Sequence, residues 1–483
     1  MLQVISKIFA RLHSRRRLQY AAGITATLTF LIVGCFGTWP SPNLPKLEAP
    51  DSPIPITRDE GSWIVSLVGV GAMMATMPAG YLVNKVGRKP LLVFLALPFL
   101  ASWFLIIFAR SVVELLVSRL ITGFCVGVAF SVCPIYLGEI AEDSVRGLLG
   151  TLMQLMQNLG SLFGYALAPY VSYTMNGAVS TVFPLLLLVF MIFMPESPYF
   201  LIMKGRTDDA EIALMRLRGY NSRQSVQEEL QRIRSVTEEQ MKQRGRPRDL
   251  VATRGTRRAL LVMIGLLFFQ QFGGVTAILS NTQQIFDITP GSTLTSSESA
   301  IVVGVIQIIA SLVTSSAVER LGRRPLLLTS ALGCCVSLAV MGAYQFVNLR
   351  TSVDTTAFDW LPLTCLIVFL VTYCLGLGPL PIAMMGEIFP SNVKGLAISI
   401  GVMFVSACFV VVTKLYQVAI DGIGPYTTFW IFSIVSAFGF VFIYFIVPET
   451  KGKPLEYIIA ELNGKSQVQK NVPAALDVFT IST

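Results

Sequence analysis

Residues 87–90 read Gly87-Arg88-Lys89-Pro90, and residues 322–325 read Gly322-Arg323-Arg324-Pro325. The second tetrad echoes the first, and it does not stand alone. Gly138-Glu139, followed by Arg146-Gly147, returns as Gly386-Glu387 followed by Lys394-Gly395, and Pro195-Glu196-Ser197 returns as Pro448-Glu449-Thr450. Three ordered echoes at offsets that grow slowly along the chain are the trace of a duplicated unit with unequal loops. Between the copies lies the least hydrophobic stretch, from about Glu196 to Arg258.

Of the 483 residues, 53% are hydrophobic and 13% charged, whereas soluble domains carry about a quarter charged residues. Such a chain belongs in a bilayer. Runs of about 20 apolar residues, enough to cross the hydrocarbon as a helix, occur near 20–40, 61–83, 90–109, 113–137, 147–170, 178–195, 258–281, 299–319, 325–347, 361–387, 395–419 and 425–447. The expected fold is an all-α membrane protein with twelve transmembrane helices in two pseudo-symmetric six-helix bundles. Residues 1–19 form a tail, 20–195 the first bundle, 196–257 a linker, 258–447 the second bundle and 448–483 a second tail.

The net charge of +9 matters less than where it lies. Lys46, Arg58, Arg110 and Arg350 fall in the outer loops of this topology and Arg119 and Lys414 within spans, and all other lysines and arginines fall on the opposite side. By the positive-inside rule both termini are cytosolic. The chain is therefore read as multi-pass, at the plasma membrane by default, with the lipid bilayer as its surroundings and no nucleic acid as partner. Arg11, Arg15, Arg16 and Arg17 before an apolar run imitate a signal peptide without a convincing cleavage site, so a retained first helix is expected. All eight cysteines sit in apolar stretches, which argues against a disulfide framework or zinc cluster.

In the linker, Thr207-Asp208-Asp209 reads as a helix start and Gly219 as a stop. Ser225 to Glu228 has capping-box spacing, and Val226, Leu230 and Ile233 follow at helical intervals. Two or three amphipathic helices against the cytosolic face are expected, with 235–257 open to the alternative of a solvated charge run.

Charges at the ends of membrane helices are costly unless paired. Arg88, Glu139 and Arg146 in one half, with Glu319, Arg323, Glu387 and Lys394 in the other, are expected to form an interlocking cluster that holds the bundles together when the cytosolic side is shut. Glu196 and Glu449, each after a proline closing a half, join it by position. Inside the membrane, Gln270-Gln271-Phe272-Gly273-Gly274-Val275-Thr276 places two amides where lipid would penalise them. Amides suit the hydroxyls of a neutral polyol, and Gln154 and Gln307 add further amides. The plainer reading is that these residues only glue helices together, and for Gln307 alone the two readings weigh equally.

With these residues in view, the chain resembles the sugar porter family of the major facilitator superfamily, from about residue 20 to 456. The matching elements are Gly87-Arg88-Lys89, Arg119 with Gly123, Glu139 with Arg146, Pro195-Glu196-Ser197-Pro198, Gln270-Gln271, Glu319-Arg320-x-Gly322-Arg323-Arg324 and Pro448-Glu449-Thr450-Lys451-Gly452. Asp59-Glu60-Gly61-Ser62-Trp63-Ile64 and Ser41-Pro42-x-Leu44-Pro45 look most like the insect facilitated trehalose transporter branch and the related glucose facilitators. The resemblance implies two domains rocking around a midplane site, with sugar contacts at Gln154, Gln270 and Gln271 and, less directly, Thr276 and Gln307. Ile382 stands where many relatives place a tryptophan against the sugar, and Val405 and Phe409 stand where relatives often carry asparagines. Lys394 in place of arginine gives up a bidentate fork.

A proton-driven porter needs a carboxylate that meets the pathway, and the first span, 20–40, has none. Arg119 is then an intramembrane cation expected to meet helix carbonyls, and Lys414 is expected to snorkel to the interface. The expected function is facilitative transport of a small neutral sugar, trehalose or a hexose. The alternatives are a proton-coupled symporter and a non-transporting sugar sensor, the latter suggested by Ile382, Val405 and Phe409. No nucleophile with a base, metal cluster or phosphate loop is visible, so neither an enzyme nor a cofactor is expected.

Overall fold

In hydrocarbon a backbone can satisfy its polar groups only from within its own segment or across a closed barrel, and the apolar runs of this chain close on themselves as helices. The computed structural model describes residues 17–220, 222–242, 247–287, 295–352, 356–451, 453 and 455–463. The first bundle contains α1 (Arg17–Thr38) with its extension α2 (Pro40–Glu48), α3 (Arg58–Lys85), α4 (Arg88–Ile107), α5 (Val112–Ile140), α6 (Asp143–Leu167), and α7 (Tyr173–Ser180) continued by α8 (Val182–Phe193). The linker follows as α9 (Pro198–Met203), α10 (Thr207–Arg218) and α11 (Gln227–Lys242). The second bundle contains α12 (Arg254–Phe272), α13 (Val275–Ser280) and α14 (Thr282–Asp287), then α15 (Ser296–Leu321), α16 (Arg323–Arg350), α17 (Leu361–Leu375) with α18 (Leu380–Ile388), α19 (Ser391–Gly422) and α20 (Pro425–Ile446), and α21 (Leu455–Leu462) ends the described chain.

Among the described residues, eleven segments are long and apolar enough to cross a membrane by length and composition. The twelfth crossing is α6, whose hydropathy is lowered by Gln154, Gln157 and Asn158. Its exposed face runs through Gly147, Gly150, Thr151 and Gln154. Small and polar residues on one face are what a helix bordering a wet path requires, and lipid would select against them.

The duplication extends to local chemistry that the motifs did not include. Helix α3 starts on a capping box in which Glu60 N donates to Thr57 Oγ1 and Thr57 N donates to Glu60 Oε2. Its counterpart α15 starts on the same box built from Thr295 and Glu298. Each box satisfies two N–H groups that a helix start leaves unpaired. Buried apolar side chains form one cluster within residues 20–217 and another that runs from Tyr165 to Leu462. Close crossings rest on glycine. A Cβ on Gly34 would stand 2.1 Å from the Gln157 carbonyl, and one on Gly123 2.1 Å from the Val68 carbonyl, so α1 with α6 and α5 with α3 approach backbone to backbone.

In the linker, Gly219 closes α10 in the left-handed region at φ 68°. The capping box read at Ser225 does not form the start of a helix: Ser225 lies in a 3-10 turn over Arg223–Val226, and α11 begins at Gln227. Val226, Leu230 and Ile233 do share an apolar cluster, with Leu201, Ala210, Ala213 and Leu214. Buried Arg218 fastens this layer to the first bundle, donating to the Ile140 carbonyl at 2.9 Å and to Glu229 at 2.7 Å. The basic residues 11–16, His13 and residues 243–246 lie outside the described set.

Candidate functional site

The linker and the first and last described residues lie at one end of the molecule, the tail end, and the opposite end is the loop end. The predicted gate residues lie at the tail end as two clusters of the same design. In the first, Arg88 Nη2 donates to Glu139 Oε1 at 2.7 Å, the Ser197 hydroxyl donates to the other oxygen of Glu139, and Glu196 accepts from the backbone N–H groups of Arg88 and Lys89. In the second, Arg323 Nη2 donates to Glu387 Oε1 at 2.9 Å, the Thr450 hydroxyl donates to Glu387, and Glu449 accepts from the N–H groups of Arg323 and Arg324 at 3.0 Å. Each glutamate after a proline thus caps a helix start from a distance, where the unpaired N–H groups and the helix dipole favour an anion.

Gly87 and Gly322, at φ 115° and 93°, turn the chain into those starts. A Cβ on Gly322 would stand 2.9 Å from Glu449 Oε2. Burial holds Glu196 above the usual carboxylate range against the pull of its N–H donors. For Glu449, burial also acts upward, but the N–H groups of Lys451, Arg323, Arg324 and Thr450 win and hold it below.

The ion pairs of these clusters join residues of one bundle, Arg88 to Glu139 and Arg323 to Glu387. Arg146 is exposed near the start of α6, close enough to Tyr199 for its charge to act on that hydroxyl. Lys394 reaches back along its own bundle, within 3.5 Å of a Cβ placed on Gly386. The Glu319 side chain lies outside the described set, although its backbone belongs to α15.

Of the predicted sugar contacts, Gln270, Gln271, Thr276 and Ile382 sit beside helix breaks, and Gln154 and Gln307 lie within unbroken α6 and α15. Between α12 and α13 the chain turns at Gly273-Gly274, with Gly274 at φ 86°, and between α17 and α18 it leaves the helix over 376–379. Breaks expose carbonyls that a neighbour must satisfy. Gln270 Nε2 meets the Gly378 carbonyl at 2.7 Å, which commits its donor end to structure and leaves Oε1 as its acceptor. Gln271 Oε1 accepts from Thr276 Oγ1 at 3.4 Å. Gln270, Gln271 and Gln307 are buried, and the Oε1 of Gln307 has no partner. Gln154 and Ile382 are exposed.

Gln154 is tied to the second bundle through Asn158, a residue that the sequence motifs do not single out. Gln154 Nε2 donates to Asn158 Oδ1 at 3.0 Å, and Asn158 Nδ2 donates to Ser311 Oγ at 2.6 Å and to the Gln307 carbonyl at 3.2 Å. The helical spacing of Gln154 and Asn158 is the one signal in the sequence that points to it.

Arg119 is fully buried. Its Nη1 donates to the Phe36 carbonyl at 3.0 Å and its guanidinium lies 4.5 Å from the Trp39 ring centroid, while Nε and Nη2 have no partner. Lys414 points towards the loop end and finds partners there. Its ammonium crosses between the bundles to Asp59 Oδ1 at 3.0 Å and Ser62 Oγ at 2.6 Å, and stands 3.9 Å from the Trp63 centroid.

Further contacts cross the same boundary. Arg58 pairs with Asp421 at 3.2 Å, Ser66 bonds Thr413 at 2.8 Å, Tyr165 donates to the Leu279 carbonyl at 2.8 Å, and Gln283 N donates to Ser41 Oγ at 3.1 Å. Phe409 packs into the apolar cluster of the first bundle, beside Gly69. These contacts lie at the loop end or towards mid-membrane, so the boundary is shut on that side.

A family model described as sugar (and other) transporter matches residues 46–462. The chain is 35% identical over 454 residues to the facilitated trehalose transporter Tret1 of Apis mellifera ligustica, over 92% of this chain and 88% of that protein. It is 33% identical over 449 residues to the facilitated trehalose transporter Tret1-2 homolog of Drosophila sechellia, over 92% of this chain and 91% of that one. Among solved structures it superposes on the xylose transporter XylE from E. coli, in a partially occluded inward open conformation, with a TM-score of 0.76 at 21% identity, over 91% of this chain and 100% of that chain. The likeness to XylE is one of fold.

Proposed function

The chain belongs to the sugar transporter family of the major facilitator superfamily, and from that premise we propose that it carries a neutral sugar, trehalose or a hexose, down its gradient by alternating access. The observation that supports uniport is the setting of Arg119. Its guanidinium is held by the Phe36 carbonyl and the Trp39 ring, and α1, which supplies that carbonyl, contains no carboxylate to take up and release a proton. Sugar recognition falls to Gln154, Gln270, Gln271, Thr276 and Gln307, with Ile382 as an apolar wall. On this reading the tail end faces the cytosol, in keeping with its excess of lysine and arginine, and the loop-end contacts seal the pathway on the outside. The host membrane is the plasma membrane.

The cytosolic gate works by exchange. Arg146 and Lys394, outside the tightest pairs of each cluster, meet the opposite bundle when the tail end shuts, and the seam at Lys414 opens in the same motion. Phe409, on the seam in this state, serves closure and not sugar contact, which fits a working carrier better than an eroded sensor.

Counterflow of labelled trehalose and labelled glucose in proteoliposomes, with and without an imposed pH gradient, tests the reading. Saturable exchange of either sugar that ignores the gradient is the expected result. Exchange that follows the gradient would establish symport, and no exchange of either by folded protein would favour a sensor.

A further inference from the structure

The polarity of the chain of amides across α6 and α15 is forced from one end. The backbone carbonyl of Gln307 can only accept a hydrogen bond, so the atom of Asn158 facing it at 3.2 Å must be the Nδ2 donor. Asn158 therefore turns Oδ1 the other way, towards Gln154, and an acceptor there demands the Nε2 of Gln154, found at 3.0 Å. The outcome is that Gln154 holds its remaining polar atom, Oε1, without a protein partner among the described residues, on the exposed face that it shares with Gly147, Gly150 and Thr151. Asn158 itself is 4% exposed and its amide spans the boundary between bundles, since Gln307 and Ser311 belong to α15. Beside it, the side-chain Oε1 of Gln307 is buried with no partner.

We propose that Asn158 is a positioning residue for the transported sugar: it fixes the Gln154 amide with its carbonyl oxygen towards the pathway, so that this position accepts a hydrogen bond from a sugar hydroxyl. A freely turning glutamine would present donor or acceptor and discriminate neither. The same amide registers α6 against α15, so sugar held by Gln154 is linked through two hydrogen bonds to the second bundle. The inference rests on the sugar-transport reading above.

A double-mutant cycle in proteoliposome counterflow, with labelled trehalose and labelled glucose as probes, tests it. Gln154→Leu and Asn158→Ala are each expected to raise KM about tenfold, the order of one hydrogen bond, with Vmax within about twofold. The double variant is expected to be no worse than Gln154→Leu, because Asn158 acts through Gln154. Ser311→Ala, which leaves the Gln307 carbonyl in place, raises KM less and keeps the test informative if Asn158→Ala folds poorly. Additive effects in the double variant, or a loss confined to Vmax, would overturn the proposal while leaving the transport reading intact. Wild-type protein that moves neither sugar would overturn both.

Discussion

Replacing Lys414 by alanine removes three interactions across the loop-end seam at once, and their worth follows from their surroundings. The ion pair with Asp59 is screened, since the Asp59 side chain is 80% exposed against 21% for Lys414, and contributes about 0.5 kcal/mol. The ammonium over half-exposed Trp63 adds about 0.5–1 kcal/mol, and its hydrogen bond to buried Ser62 adds roughly 1 kcal/mol. The sum, about 2 kcal/mol, stabilises the state shut at the loop end relative to the state open there, and its loss shifts that equilibrium by about thirtyfold. Spin labels at exposed Asp51 and Thr351, one on each bundle, report the change as a growing population of longer distances by pulsed electron resonance. Lys414→Arg, which keeps the charge and the aromatic contact, is expected to shift the distribution less. A distance distribution identical to wild type in folded Lys414→Ala would refute the assignment of the seam as a latch.

Gln271→Ala is expected to raise the KM for the transported sugar with the fold intact, read by counterflow alongside thermal unfolding; unchanged uptake and affinity would remove Gln271 from the site. Arg146→Ala is expected to favour the state open at the tail end, seen as faster labelling of a cysteine placed at exposed Gly395. Gly322→Ala is expected to lower the melting temperature because its Cβ meets the Glu449 carboxylate at a positive φ, at a cost of about 1–3 kcal/mol, whereas Gly395→Ala, with open space around it, is expected to be near neutral. Glu449 is held below its ordinary value of 4.5, so its stabilisation is full above that pH and fades as pH falls through the depressed value. The difference in melting temperature between wild type and Glu449→Gln is therefore expected to be full at pH 7 and to shrink below pH 4.5.

What could be read from the sequence was whatever the duplication wrote twice. Arg88 with Glu139 and Arg323 with Glu387 form pairs because each half repeats the same turn, and the repeat put Glu196 and Glu449 in equivalent places, though not the capping contacts that they make there. The helix breaks at Gly273-Gly274 and near Gly378 were not read, since 258–281 and 361–387 pass as single spans by their apolar length, although glycine lies at both places and proline at the second. Lys414 was not legible in this way. Its partners Asp59 and Ser62 lie in the other half, the equivalent positions at the start of α15, Ser297 and Ala300, offer no carboxylate, and a lone lysine near a helix end says nothing of the helix it faces. Asn158 was hidden for a different reason: it is one of several polar residues on α6, its spacing from Gln154 is a faint signal, and the Gln307 carbonyl and Ser311 hydroxyl that set it apart lie in the other half. Ser225 failed because a capping box describes an α-helical start, and the chain entered α11 through a 3-10 turn.

If transport is the uniport proposed above, the placement of these interactions bears on how the carrier cycles. Two states of similar energy require that the bonds which open at one end be matched by bonds that form at the other, and a ligand shifts the balance only by its differential affinity. At the loop end the seam is made of small, separable interactions, the Lys414 group, Arg58 with Asp421 and Ser66 with Thr413. Each is weak enough to exchange with water in turn. At the tail end the strongest pairs, Arg88 with Glu139 and Arg323 with Glu387, stay inside their own bundles and therefore need not break for the bundles to rock. They hold each bundle rigid, and in the proposed gate closure there falls to Arg146 and Lys394. Rigidity within bundles and weakness between them is the division that rocking about a midplane site demands, and Asn158 lies where the two meet.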